Sequence, residues 1–434
     1  MKIGLIAMSG VRVRTPELAA LGVTLPQFVN RGQVIASLPS LGLLTVAALT
    51  PPDVEVVYRE VEELDPCEPL EPFDLVGISS FTAQIDEAYS LADRYRDAGI
   101  PVVLGGLHVS LLPYEAATHA DSIVIYGAEG AWPRLVDDFC KDRLQPRYLG
   151  QRAAVFEPTN YVRPRFDLLR GRPYNRMTVQ TSRGCPLDCE FCAASLRITS
   201  AFQQKPVALV VEEIRAARDV VDHPFFEFAD DNTFLNKKWG KEFLRAIRPL
   251  QISWFTETDI SLADDDELLD LLAESGCRQI LVGLESPDAE DLEGVDPKNW
   301  KRKRSARYLE AIDKIQSRGV TVNGCFVLGL DNHTPEIFPR VKEFVERSRL
   351  LEVQITVMTP FPGTPLYDRL ARSGRLLQPR YWDRCTLFDV TYRPQGMTVE
   401  QLEEGIRWLF KEVYNEHEYT RRKRHYMELV KQRM

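Results

Sequence analysis

Residues 181–192 read Thr181-Ser182-Arg183-Gly184-Cys185-Pro186-Leu187-Asp188-Cys189-Glu190-Phe191-Cys192, directly after a strand-like run, Thr178–Thr181. Three cysteines at C-x₃-C-x₂-C spacing, on a loop leaving a strand, can turn three thiolates toward one soft metal centre. The count of three is informative. A structural zinc site asks for four ligands, and an iron–sulfur cluster held by four cysteines is coordinatively closed. A cubane held at three corners keeps one iron open for a small chelating ligand. No further Cys or His follows at a useful distance, His223 being the nearest histidine and preceding a proline. The other five cysteines, Cys67, Cys140, Cys277, Cys325 and Cys385, are scattered singly and read as small buried hydrophobes.

Beyond this loop, apolar runs alternate with helical patterns. Strands are predicted at Phe225–Ala229, Ile252–Thr256, Gln279–Val282, Thr321–Val327 and Glu352–Thr356, giving six βα units with Thr178–Thr181. Ile337, Val341, Phe344 and Val345 form one apolar helix face between the last two. Such a series is consistent with a partial (β/α) barrel, whose site lies at the carboxyl ends of its strands.

Before the loop, a connector containing Pro158, Pro164 and Pro173 spans residues 151–176. Residues 1–150 form an earlier alternating series, with strands predicted at Lys2–Ala7, Leu75–Ser79, Val102–Leu104 and Ser122–Ile125 and a helix over Gln84–Ala98. That rhythm implies a parallel sheet covered by helices. Ser79-Ser80, Gly105-Gly106 and Tyr126-Gly127 stand at the strand ends where such sheets bind ligands. After residue 375 a different, mainly helical segment begins. Thr398-Val399-Glu400-Gln401 resembles a capping box, and Arg421-Arg422-Lys423-Arg424 reads as a solvated helix surface.

The whole chain has 434 residues, too many for one ordinary core, and a net charge of −9. Acidity argues against a nucleic-acid binder, whose affinity would rest on Lys and Arg. The longest apolar stretch, Val34 to Leu49, is broken by Ser37, Pro39 and Ser40 and is too short to span a bilayer. The start carries one positive charge and no export signal. A cytoplasmic protein with reduced thiols and no membrane insertion is expected.

The cysteine loop, with Phe191 supplying an aromatic before the last cysteine, resembles the signature of the radical S-adenosylmethionine (SAM) superfamily. Asp230-Asp231-Asn232, Gly283-Leu284-Glu285-Ser286 and the run Thr359 to Pro365 extend the likeness from about Pro164 to Gly374. It looks like the subgroup with an N-terminal cobalamin-binding-type domain. The implied fold class is α/β. A Rossmann-like cobalamin-binding-type domain (1–150) and a linker (151–176) would precede a partial (β/α)₆ radical SAM barrel (177–375) and a small helical segment (376–434).

The resemblance also implies a chemistry. Cys185, Cys189 and Cys192 would hold a 4Fe-4S cluster whose open iron is chelated by SAM. One electron would cleave the sulfonium to a 5′-deoxyadenosyl radical, which takes hydrogen from a small-molecule substrate. The electron would come from a flavodoxin- or ferredoxin-type donor. Cofactor contacts are expected from Phe191, from Ala229, Asp230 and Asp231 at the SAM amino group, and from Glu285 at the ribose. Asn323, Phe326 and Leu328 would lie beside adenine, and Thr256 and Thr258 would face the same mouth. The catalytic proton-transfer residue is left unassigned.

Gly105-Gly106-Leu107-His108-Val109 and Tyr126-Gly127-Ala128-Glu129-Gly130 resemble the cobalamin-contacting loops of the subgroup, without the D-x-H-x-x-G motif that supplies a cobalt ligand. His108 reads as an ordinary loop histidine. Two outcomes stay open, methylation of an unactivated carbon with cobalamin, or a non-methylating radical reaction such as dehydration of an aminosugar diol in a chain without it. A non-catalytic iron–sulfur or zinc module is the reading from another class.

Overall fold

The computed structural model describes residues 1–20, 38–152, 156, 161–172, 174, 176–221 and 224–431. Pro158, Pro173, His223 and the beginning of the Val34–Leu49 stretch lie outside them.

The first sheet contains β1 (Lys2–Met8), β2 (Glu55–Val61), β3 (Leu75–Ser80), β4 (Val102–Gly105), β5 (Ser122–Ile125) and β6 (Arg147–Leu149). All its pairings are parallel, in the order β2-β1-β3-β4-β5-β6. The order reverses between β1 and β3, which opens a crevice off the carboxyl ends of the strands. The predicted interior strands are found there. The edge strands β2 and β6 were not anticipated. Gly106 has φ of +103°, and a Cβ on it would lie 2.8 Å from the Ser79 hydroxyl, so a larger residue would not fit the turn after β4.

The second sheet contains β7 (Arg176–Val179), β10 (Phe225–Phe228), β11 (Ser253–Thr258), β12 (Cys277–Glu285), β13 (Thr321–Leu328) and β14 (Glu352–Val357). It is also parallel, in the order β14-β13-β12-β11-β10-β7, a six-stranded partial barrel. Between β7 and β10, β8 (Ser182–Arg183) and β9 (Gln203–Gln204) make a short antiparallel pair that brackets the cysteine loop. The first barrel strand therefore begins two residues earlier than the expected Thr178–Thr181.

Alternation decides which side chains line the barrel and which pack under its helices. Phe228 meets the helix Lys237–Ile247, edge-on to Phe243 at 5.0 Å, and packs on its other side against Trp254 at 5.2 Å. Each such buried aromatic contributes about 2 kcal/mol of burial free energy. The helix is capped by Asn236, whose side chain accepts the Trp239 amide. The core then runs unbroken from the first sheet into the barrel, with Phe166 and Leu169 of the connector among its members.

The carboxyl-terminal segment ties the molecule together. Its expected capping box is present, Thr398 and Gln401 bonding reciprocally at the start of the helix Val399–Val413. Trp382 packs in the first domain's core, edge-on to His108 at 5.8 Å. Asp389, fully buried, accepts the Arg14 and Thr15 amides at 2.9 and 2.7 Å. At the barrel's free edge the Tyr414 hydroxyl accepts the Ile355 amide and donates to the Val353 carbonyl, occupying groups that β14 leaves unpaired. The basic run is not wholly solvated, because Arg422 is buried against the carbonyls of Leu351 and Val413.

Candidate functional site

The cysteine loop leaves the carboxyl end of β7 and is fastened on several sides. Gly184, with φ of +83°, lets the chain turn into Cys185 where a Cβ would sit 3.0 Å from the Ala201 carbonyl. The Glu190 amide donates to the Val295 carbonyl at 3.1 Å, and the Leu366 amide donates to the Glu190 carbonyl at 3.1 Å. Arg197 forks into the loop itself, donating to the carbonyls of Cys189 and Cys192, each at 2.7 Å. Phe191 packs half-buried against the core. The loop's shape is thus fixed by protein contacts.

The three thiols lie close enough to influence one another's charge. Burial pushes Cys185 up to about 11 and Cys189 and Cys192 up to about 12. Cys189 is opposed in this by the Lys301 ammonium. Three such thiols want a cationic partner, because a bound metal deprotonates them outright. Among the described residues no three His, Cys, Asp or Glu side chains form a group that could hold a metal ion. The donor set, three mutually interacting thiols, suits a wider cluster better than a zinc ion, which asks for four ligands about 2.3 Å from one point.

Asp230 and Asp231 follow β10 and take different surroundings. Asp230 Oδ1 accepts the amides of Thr181 and Ser182, and Oδ2 accepts the hydroxyls of Thr181 and Thr233. Its carboxylate is therefore spent on holding the base of the cysteine loop. Asp231 lies within electrostatic reach of Cys185 and Cys192.

Glu285 ends β12 in a left-handed conformation, φ of +64°, beside a bulge in its pairing with β13. A non-glycine residue there stores strain. Its carboxylate meets Lys301 Nζ at 2.8 Å, and the same ammonium donates to the Gly283 carbonyl at 2.8 Å. Both side chains are buried. Asn323 on β13 is buried with an amide oxygen that has no partner, an acceptor left over for a ligand.

Four expected contacts point elsewhere. Thr256 bonds to the Thr233 hydroxyl and the Phe228 carbonyl, and Thr258 to Asn232. Phe326 meets Phe344 edge-on under the helix layer, and Leu328, two residues on, is buried in the core. The strand period of two turns these side chains away from the hollow and brings Glu257 into it instead. Glu257 reaches open space there, yet protein surrounds it. That desolvation, reinforced by Glu227, Asp231, Asp230 and Glu285, pushes its carboxyl up to about 8.

A cavity of about 350 Å³ joins the two sheets. Gly77, Ser79, Gly105, Gly106 and Tyr126–Glu129 line it from the first domain, and Gln180, Arg183 and Ala229 from the barrel. Arg183, two residues before Cys185, pairs with Glu129 at 2.7 Å across this junction. Lys205 and Glu213 form a buried pair in its wall, 2.6 Å apart. The small residues at the strand ends suit a broad, flat group lying against the backbone. His108 is not a loop residue. It is buried in the helix Leu107–Leu111, with one ring nitrogen against Thr82 and the other against Glu115.

Arg197, Lys301, Glu257 and the Arg183–Glu129 pair escaped the sequence reading. Only Glu257 had a usable signal, its place between Thr256 and Thr258 on a strand with a twofold side-chain period.

The radical SAM superfamily profile matches residues 179–345, and a domain of unknown function (DUF4070) matches 364–434. Bacteriochlorophyllide d C-8(2)-methyltransferase of Chlorobaculum tepidum is 29% identical over 361 residues, 80% of this chain and 78% of that protein. The hopanoid C-2 methylase of Rhodopseudomonas palustris is 28% identical over 79% of this chain and 66% of its own length. Among solved structures, the radical SAM methyltransferase TsrM from Kitasatospora setae, with cobalamin and a 4Fe-4S cluster bound, superposes with a TM-score of 0.67. That likeness covers 96% of this chain and 90% of TsrM at 16% identity, a similarity of fold.

Proposed function

We propose that the chain is a radical SAM enzyme of the subgroup with a cobalamin-binding-type first domain, a cobalamin-dependent C-methyltransferase acting on a small molecule. The observation that carries this reading is the cavity. It runs from the glycine-rich strand ends of the first sheet to Ala229, beside the loop of Cys185, Cys189 and Cys192. When bound, the cluster and SAM supply the radical that removes hydrogen from carbon, and cobalamin supplies the methyl group. The named relatives methylate bacteriochlorophyllide and hopanoid, and methylation of an unactivated carbon extends that chemistry to this chain.

In this reading the protein's own residues bind and orient. The three cysteines hold the cluster, and Arg197 fixes the loop that presents them. Asp231 and Glu257 receive the SAM ammonium, for which their oxygens are suitable acceptors. Asp230 acts one step back, on the loop. Glu285, fixed by Lys301, serves the ribose, and Asn323 offers its free oxygen to the adenine side. The domains are placed at 1–150, 177–375 and 376–434, with the linker at 151–176. The electron comes from a flavodoxin- or ferredoxin-type protein, and the reducing cytoplasm is the compartment that suits three unpaired thiols. Among the described residues no helix is long and apolar enough to cross a membrane.

Anaerobic reconstitution with iron, sulfide and hydroxocobalamin, followed by desalting, tests the proposal. Retained corrin bands are expected. With substrate, the products should include both S-adenosylhomocysteine and 5′-deoxyadenosine. Cys189→Ala should abolish 5′-deoxyadenosine formation while leaving the circular dichroism spectrum unchanged. Loss of all corrin with 5′-deoxyadenosine as the sole SAM-derived nucleoside would overturn methyl transfer in favour of a non-methylating radical reaction.

A further inference from the structure

At the far end of the barrel, where β14 begins, a second cavity of about 250 Å³ is lined by Arg349, Arg421, Arg422, Arg424, His425 and Glu428. Arg349 closes the helix Ile337–Ser348, in the left-handed region at φ of +52°. The other five project from the helix Glu416–Lys431. Arg421 is matched by Glu418 at 2.7 Å. Among the described residues, no carboxylate oxygen lies within 4.0 Å of the guanidinium of Arg349, Arg422 or Arg424.

Their hydrogen-bond partners are uncharged, and the carboxylates of Glu352 and Glu418 act on Arg422 only from beyond ion-pair distance. Arg422, 3% exposed, donates only to the main-chain carbonyls of Leu351 and Val413. Arg349 Nη1 donates to His425 Nδ1 at 3.2 Å, which requires that nitrogen to carry a lone pair. The other ring nitrogen, Nε2, is buried with no hydrogen-bond partner. Gathering cations around one cavity with a single carboxylate, Glu428, on its wall costs free energy unless an anion offsets it. Guanidinium forks match tetrahedral oxyanions in shape and number of donors.

We propose that this cavity binds an oxyanion of the phosphate class, either a free phosphate or the headgroup of a phospholipid. The site is independent of the methyl-transfer reading, since it lies at the opposite end of the strands from the cysteine loop.

Isothermal titration of the full chain with inorganic phosphate tests it. Saturable binding is expected, weakening with added salt. Arg349→Gln and Arg424→Gln, both at exposed positions, should each lower the affinity about tenfold, as loss of one charge-assisted hydrogen bond implies. Glu428→Gln should raise it, because a like charge is removed. Flotation with phosphatidic acid vesicles but not phosphatidylcholine vesicles, lost in Arg424→Gln, would assign the lipid headgroup. Phosphate binding without vesicle retention would assign a soluble ligand. Absence of phosphate binding in the parent chain, or equal affinity in all three variants, would overturn the proposal.

Discussion

Asp230 is bonded twice to Thr181, its Oδ1 accepting the backbone N–H at 2.7 Å and its Oδ2 the hydroxyl at 2.5 Å. Thr181 is the last residue before β8, so one buried carboxylate sets where the cysteine loop begins. Asp230→Asn replaces one acceptor oxygen by a donor facing donors, a mismatch costing about 1–3 kcal/mol. The variant should fold and lose most of its iron. Iron and sulfide analysis after anaerobic reconstitution, set against the parent chain, checks this.

Lys301 and Glu285 form a second dependence. Removing the ammonium with Lys301→Met leaves a buried carboxylate without its charge partner, a loss of about 3 kcal/mol. Chemical denaturation should register the destabilisation, and SAM binding should weaken severalfold as the strained Glu285 turn relaxes. The double variant with Glu285→Gln should recover much of the stability and none of the SAM affinity.

His108 faces Thr82, Glu115 and Trp382, and it does not line the cavity. His108→Gln should therefore lower the melting temperature and leave the visible spectrum of reconstituted, corrin-loaded protein unchanged. A shifted corrin spectrum would mean that the imidazole reaches cobalt.

Glu352 carries a pH signature. Burial, partly opposed by Arg422, pushes its carboxyl from 4.5 up to about 7. Between those values the folded chain keeps a proton that the unfolded chain releases, so this residue's contribution to stability is lost as pH rises through that window. Glu352→Gln should melt about 2 °C above the parent at pH 8 and together with it at pH 4. Scanning calorimetry at the two pH values decides.

The sequence showed the interior strands clearly and the edges poorly. Ser122–Ile125, wholly apolar after its first residue and buried throughout, was read to the residue. Glu55–Val61 and Arg147–Leu149 escaped because an edge strand carries charges and stays partly exposed. Arg176 hid the start of β7, since a charged residue reads as loop until its buried partner, Glu227 at 2.6 Å, is known. The cysteines and Glu285 could be named because they sit within local motifs. The side chains of Phe326, Leu328, Thr256 and Thr258 turn away from the hollow because alternate residues of a strand face opposite sides, which a list of motif residues does not show. Arg197 and Lys301 act through contacts that only folding creates.

Asp389 and Thr15 stand 374 positions apart in the chain. Thr15 leaves the ribosome well ahead of the carboxylate that secures it, so its segment must wait, unlatched, while the barrel between them is made. Chains stalled before Asp389 would leave that latch undone, and proteolysis during biosynthesis should cut there before it cuts the barrel.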